Sequence, residues 1–409
     1  MNILVLQETD WLTRGPHTQH HIFENLSRKN TMKITVIDYD IDKIQKFSSC
    51  IVKKQIFRNI HRVFEDSNIS IIRTAHLQIP YVRRISSLIT NFLEILKIFR
   101  KNRPDIIVGF SITNGFIGLI LSKIFKIPYL FFYIDILHQL VPISYVRKFA
   151  ELISYFTLKY ADKILVHTKY QYRYLKSKGI PAKKVEISPD GISLKNTVVD
   201  KKRYIQLKKK YSIEDTDFVI FFMGYLYDFA GLKEIIDYYN PKIHENNLNI
   251  KFLILGDGGI FNFLQNYVKK IDANWVILAG RVQYAEITEF IELADLCLLS
   301  FEINDITKEI TPIKIIEYMA MKKPVLTNSL PAIVSELKND SDLIFAKNQQ
   351  DLIKMIGELV PQKENLKKTG QKGFELVKKK YTWSKIITEF KKTIIEIIKK
   401  KSLGINNNE

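Results

Sequence analysis

Short runs that are apolar at nearly every position alternate with longer amphipathic stretches, and this alternation restricts the fold more than any other feature of the chain. Ile3-Leu4-Val5-Leu6, Lys33-Ile34-Thr35-Val36-Ile37, Asp105-Ile106-Ile107-Val108-Gly109, Tyr129-Leu130-Phe131-Phe132-Tyr133 and Lys163-Ile164-Leu165-Val166-His167 all read as strands. A strand without a polar face must be covered on both sides, which is the setting of a parallel sheet flanked by helices. Between the runs lie helical patterns, clearest at Ile85, Leu88, Ile89, Phe92, Leu93, Leu96 and Phe99, which share one helix face. Alternating strands and helices imply right-handed crossovers and a doubly wound α/β sheet. The rhythm restarts after Asp190-Gly191 with Phe218 to Gly224, Ile250 to Gly256, Trp275 to Gly280, Leu296 to Ser300 and Pro324 to Thr327. With 409 residues, the chain exceeds one ordinary core, so two Rossmann-like domains are expected. Their boundary is placed near Leu194 to Lys201.

Other classes are set aside on composition. Apolar residues are 46% and charged residues 26%, the balance of a globular protein. No run of about eighteen apolar residues suggests a membrane-spanning helix. The first residues enter a strand directly, without the basic flank and cleavage site of a signal peptide, so a cytoplasmic setting is expected. Cys50 and Cys297 are the only cysteines, which argues against a disulfide scaffold or a cysteine zinc site. The formal charge of +19 favours an anionic partner, although an AT-rich genome that spends Lys freely gives the same number.

Three of the second set of strands end in glycine, and in such sheets ligands bind at the carboxyl ends of strands, where glycine lets backbone approach a phosphate. Just beyond lies the most informative segment, Thr307 to Val325. Glu309 and Glu317 are separated by seven residues, with Thr311-Pro312 between them and Lys314 inside the following helix. Thr311 suits an N-cap and Pro312 the first helical position. A helix starting there would point free N–H groups at a diphosphate. Lys314 is badly placed for the helix dipole, and a cation tolerated in a first turn suggests an anionic ligand. Glu309 and Glu317 would flank one pocket and accept hydrogen bonds from sugar hydroxyls.

This stretch, continued by Glu317-Tyr318-Met319-Ala320 and Pro324-Val325, resembles the donor-site signature of the family 4 (group 1) retaining GT-B glycosyltransferases. The order of other segments is similar too: Met223-Gly224, Leu255-Gly256-Asp257-Gly258-Gly259, Ala279-Gly280-Arg281-Val282, Ala294-Asp295, Ala161-Asp162-Lys163 and Pro189-Asp190-Gly191. Tyr381-Thr382-Trp383 resembles the start of that family's terminal helix. The resemblance covers roughly residues 100 to 400. It implies a GT-B fold: two Rossmann-like domains facing a central cleft, the acceptor side in 1–195 and the donor side in 196–380. Residues 381–401 would form a helix returning to the first domain, and 402–409 a disordered tail. By motif position, Glu309 would contact the sugar and Glu317 the ribose. Gly15 would lie by the diphosphate, and His138 or Asp135 would face the reacting sugar. Gly224, Gly256, Gly258 and Arg281 would complete the donor site.

One departure from the pattern matters. Where the family carries an Arg and a Lys after the first donor-domain strand, this chain has Tyr225 and Ala230; Lys233 or Lys314 would have to supply the charge. His17, His20 and His21 sit together without a zinc motif, and neither metal nor cofactor is expected. The resemblance implies a nucleotide-sugar donor as substrate and a saccharide or lipid-linked acceptor. The basic stripes at Arg83-Arg84, 100–103, 378–380 and 399–401 are either solvated faces or contacts with an anionic membrane surface. No nucleic-acid recognition element is identifiable. The alternatives carried forward are a nucleotide-sugar epimerase or hydrolase, a basic nucleic-acid-binding protein, and an inactive scaffold.

Overall fold

The structure, a computed structural model, describes residues 1–28, 32–39, 50–79, 82–134, 138, 144–246, 248–304, 307–338 and 342–404. The chain forms two compact units, Met1–Asp190 together with Trp383–Glu409, and Gly191–Thr382. The division falls at Asp190 rather than in the Leu194–Lys201 stretch. Ile192 donates its N–H to the Tyr381 carbonyl at 2.7 Å and bridges Thr382, which ties both ends of the second unit together.

The first unit is built on an eight-stranded sheet in the order Val185–Ile187, Lys163–Val166, Tyr129–Tyr133, Ile106–Gly109, Asn2–Leu6, Lys33–Asp38, Ile69–Arg73, Gln55–Ile60. All pairs are parallel except the last. The central runs are buried throughout, as strands covered on both faces must be. One face is covered by helices Thr18–Ser27 and Trp383–Ser402, where Phe23 and Phe390 meet edge-on at 5.6 Å. The terminal helix buries Ile386, Ile387, Phe390, Ile394 and Ile397. The tail expected beyond it is helical at Ser402, and 405–409 lie outside the described residues.

The opposite face carries helices Val82–Lys101, Thr113–Ile124, Ser144–Tyr160 and Lys169–Ser177. The first of these differs from expectation. It buries Ser87, Asn91, Ile95 and Phe99, and it leaves Ile85, Ile89, Phe92 and Leu93 exposed. The buried polar pair explains the rotation: Asn91 donates to the side chain of Asn114 at 2.9 Å and accepts from Thr74 at 2.6 Å, anchoring this face to the sheet.

The second unit has a six-stranded, wholly parallel sheet ordered Val276–Gly280, Ile250–Leu255, Phe218–Met223, Leu296–Leu299, Val325–Asn328, Ile344–Ala346. Phe218–Met223 is buried at every residue. Asp200 caps helix Lys201–Lys210 by accepting from Lys202 N–H at 2.9 Å, and Asn348 caps Gln349–Leu359 in the same way. Helix Lys363–Lys380 comes close enough to the chain at Lys322 that a Cβ on Gly370 would collide with the Lys322 carbonyl. Among the described residues no helix is long and apolar enough to cross a membrane.

Candidate active site

Three adjacent strands of the second unit end at Gly224, Gly256 and Gly280, each at positive φ (138°, 139° and 72°). At Gly256, and at Gly258 beyond it, backbone crowding requires glycine as much as the dihedral does. A Cβ on Gly256 would strike the Gly224 carbonyl, and one on Gly258 would lie 2.6 Å from the Leu226 nitrogen. The turns are stitched across the sheet edge: Gly224 N–H donates to Leu255 O at 2.9 Å, Leu226 N–H to Asp257 O at 3.0 Å, and Gly256 N–H to Gly280 O at 2.9 Å. The result is a surface of bare backbone at the carboxyl edge, where a ligand group can approach without meeting side chains.

Under this surface lies Lys314. Its amine sits where a Cβ on Gly224 would have to be, between the rings of Phe222 and Phe301 at 5.0 and 4.8 Å. Among the described residues no carboxylate is within ion-pairing distance of it. Burial lowers its pKa to about 8, with Glu317 pulling weakly the other way. A cation held by two ring faces, with no counter-ion among the described residues, is a site prepared for an anion.

Glu317 follows one turn later. Burial raises its carboxyl above the usual range, opposed by a hydrogen bond from Tyr284 and by the Lys314 charge. The Tyr284 hydroxyl donates to Glu317 Oε1 at 3.0 Å. Both residues line a cavity of about 350 Å³ whose other walls include Ile192, Val198, Ile287 and Met321. Tyr284 escaped the sequence reading; its only signal is a place three residues after Arg281.

Several expected positions behave differently. Helix Lys314–Ala320 begins after Ile313, with no side-chain cap, so Thr311 is not an N-cap and Pro312 not the first helical residue. The cause is the turn before it, where the N–H groups of Ile315 and Ile316 bond to the Pro312 and Ile313 carbonyls at 3.2 and 2.8 Å. The row of free amides expected there is therefore mostly spent. Thr311 Oγ1 is buried without a hydrogen-bond partner among the described residues, which leaves a polar group available to a ligand. Glu309 ends the turn Thr307–Glu309, and its side chain lies outside the described residues. Lys233 does not join the glycine edge: it pairs with Asp237 at 2.5 Å and lies over the Tyr267 ring at 4.7 Å. Arg281 is exposed on the strand exit.

In the first unit, Gly15 adopts φ 87° in the loop before helix Thr18–Ser27. The neighbouring histidines are structural. His20 Nδ1 accepts the His17 N–H at 3.0 Å while its Nε2 contacts Trp11 O at 3.0 Å, and His21 stacks on Trp383 at 4.3 Å. Burial pushes both His20 and His21 down to about 4. His138 is buried, with Nδ1 lacking a hydrogen-bond partner among the described residues and its pKa lowered by burial. Asp135 lies outside the described residues. At the same sheet edge His167, read only as a strand end in the sequence, bonds through Nδ1 to Ser188 O at 3.0 Å and keeps Nε2 unpartnered among the described residues.

Comparison with known proteins bears on both units. The family model described as Glycosyl transferases group 1 matches residues 217–362, and that described as Glycosyltransferase Family 4 matches residues 57–196. The two matches, one in each unit, together support a group 1 glycosyltransferase. An uncharacterised glycosyltransferase of Methanocaldococcus jannaschii is 24% identical over 340 residues, which is 81% of this chain and 86% of that one. Among solved structures, Anabaena HepE in complex with UDP superposes with a TM-score of 0.70 at 13% identity, covering 97% of this chain and all of the other. The catalytic domain of Arabidopsis thaliana starch synthase IV, bound to ADP and acarbose, gives 0.64 at 9% identity over 97% and 99%. These likenesses establish the GT-B fold. Within this glycosyltransferase the glycine edge, Lys314, Glu317 and Tyr284 all fall inside the first matched segment, and His138 and His167 inside the second. Gly15 and the His17 to His21 cluster lie outside both.

Proposed function

We propose that this glycosyltransferase moves a sugar from a nucleotide-diphosphate donor to a saccharide or lipid-linked acceptor, with retention of configuration and without a metal ion. The observation that carries the proposal is the Lys314 ammonium, buried under the backbone of Gly224 with no carboxylate within ion-pairing distance among the described residues. As the bond from the sugar to phosphate breaks, its electron pair moves onto the diphosphate. A fixed cation in a water-poor site stabilises that charge more in the transition state than in the ground state. Lys314 thereby takes the place of the Arg and Lys that the family pattern puts at Tyr225 and Ala230. The Thr311 hydroxyl is a further donor to the same anion. Glu317 holds the ribose diol, and the acceptor hydroxyl attacks on the face from which the diphosphate leaves. UDP and ADP in the solved relatives support a nucleotide-linked donor.

The test is a screen of sugar nucleotides for stabilisation against heat, followed by proton NMR of the product formed by the stabilising donor. A ligand that binds only the folded state raises the melting temperature. The reading requires at least one sugar nucleotide to do so, an anomeric configuration that is unchanged, and turnover that survives EDTA. An inverted product, or activity abolished by EDTA and restored by a divalent cation, contradicts it.

A further inference from the structure

The first unit carries a face whose composition does not match a solvated surface. Helices Val82–Lys101, Thr113–Ile124 and Ser144–Tyr160 lie side by side on one side of the sheet. Of the twenty-six large apolar side chains exposed on the described surface, fourteen sit on these three helices. Scattered exposed apolar groups are normal; contiguous ones mark a contact surface.

The exposed groups form stripes along the helix axes. On Ser144–Tyr160, Tyr145, Phe149, Leu152 and Phe156 recur at intervals of four, three and four, and Phe149 is 63% exposed. On Val82–Lys101 the stripe is Ile85, Ile89 and Phe92, with Leu93 beside it. Ile120 and Ile124, one turn apart, fill the helix between.

Cations fringe these stripes. Arg100 and Lys101 end the first helix with Arg103 just beyond it, Lys123 lies in the last turn of the second with Lys126 beyond it, and Lys159 lies in the last turn of the third; all are exposed. Arg103 donates to the Phe125 carbonyl at 2.6 Å, which draws the ends of the first two helices together. The acids on the three helices are Glu94, paired with Lys54, and Glu151, paired with Lys178. The face is therefore apolar across its middle, rich in aromatic rings, and cationic at its margin. That pattern is complementary to a lipid bilayer, where apolar groups enter the acyl boundary, aromatic rings sit at headgroup depth and Lys or Arg meets anionic headgroups.

We infer that this three-helix face docks the enzyme on the surface of an anionic lipid bilayer. The docking places the protein where lipid-linked acceptors reside, and it is independent of donor chemistry.

The full-length protein is floated with vesicles of phosphatidylcholine alone and of phosphatidylcholine containing phosphatidylglycerol, at low and high salt. Two variants are compared with it: Y145S/F149S/F156S, and R100Q/K101Q/K126Q. The inference requires binding to phosphatidylglycerol vesicles at least tenfold stronger than to phosphatidylcholine, falling with salt, and at least a tenfold loss in each variant. UDP affinity is measured in parallel and stays unchanged, which separates this inference from the donor-site reading. Should the apolar variant fail to melt cooperatively, the charge variant decides. Absence of vesicle binding, binding indifferent to lipid charge, or undiminished binding by a folded variant overturns the inference. So does a wild-type dimer that the apolar variant converts to monomer, since the face would then be a protein interface.

Discussion

The hydroxyl of Tyr318 accepts the backbone N–H of Met223 at 3.0 Å, deep inside the second unit. This bond sets the register between helix Lys314–Ala320 and the strand that ends before Gly224. It fixes the height of the helix against the strand end, and Lys314, one turn earlier, comes to lie under Gly224. The position of the cation is thus set by a fully buried tyrosine together with the two rings that hold the amine.

Removing that hydroxyl leaves the Met223 N–H without a partner in the interior. Tyr318→Phe is expected to cost about 1–3 kcal/mol, read from urea unfolding, and to weaken UDP binding even though Tyr318 touches no ligand. A variant as stable as wild type shows that Met223 finds another acceptor.

Lys314 makes opposite contributions to stability and binding. Unfolding lets a lysine held near pKa 8 return to its ordinary value, so between about pH 8 and 10.5 the unfolded chain carries the extra proton. Stability therefore rises with pH across that window, and below it the buried charge costs about 3 kcal/mol. Its two ring contacts return about 1–2 kcal/mol of this. Lys314→Met is expected to raise the melting temperature at pH 7, abolish that pH dependence and remove most UDP affinity. In the wild type, affinity falls as pH rises from 7 to 9. Thermal unfolding and calorimetry across that range check both signs.

Glycine substitutions separate crowding from charge. Gly256→Ala forces a methyl group against the Gly224 carbonyl at a φ of 139°, so a loss of about 2–3 kcal/mol is expected. Gly179→Ala is the control. It also has positive φ, but open space around it, and only its dihedral cost of about 1 kcal/mol applies.

Acid should loosen the first unit. His20 and His21 are buried neutral with pKa values near 4, below the ordinary 6.5. The unfolded chain binds their protons first, so stability is lost as pH falls from 6.5 toward 4. His21→Phe keeps the stack on Trp383 without a titrating group and is expected to flatten that limb. Chemical denaturation at pH 7 and 5 measures it.

The strands were legible because burial on both faces erases polar positions, as in Tyr129–Tyr133 and Phe218–Met223. Among those missed, Ile344–Ala346 is only three residues long, and others keep polar groups. Gln55–Ile60 is a half-exposed edge, and Ile69–Arg73 ends in an arginine held by Asp10 and Asp38, the latter at 2.9 Å. In helix Val82–Lys101 periodicity found the apolar stripe but not its direction, because Asn91 and Ser87 face the sheet. Thr311-Pro312 had the chemistry of a helix start, yet the turn bonds at Pro312 and Ile313 move the start to Lys314. Lys314 was noticed as a misplaced charge; the rings that hold it come from strand Phe218–Met223 and from Phe301, just past the end of strand Leu296–Leu299, far apart in sequence. Tyr284 has no signal beyond its place three residues after Arg281 until the fold brings its hydroxyl to Glu317.

The central claim is that a donor diphosphate rests over Lys314 with its ribose on Glu317. Calorimetric titration of UDP into wild type, Lys314→Met and Glu317→Gln tests it most directly. Each variant is predicted to lose at least tenfold in affinity while melting as cooperatively as wild type. Unchanged UDP affinity in both folded variants contradicts the account.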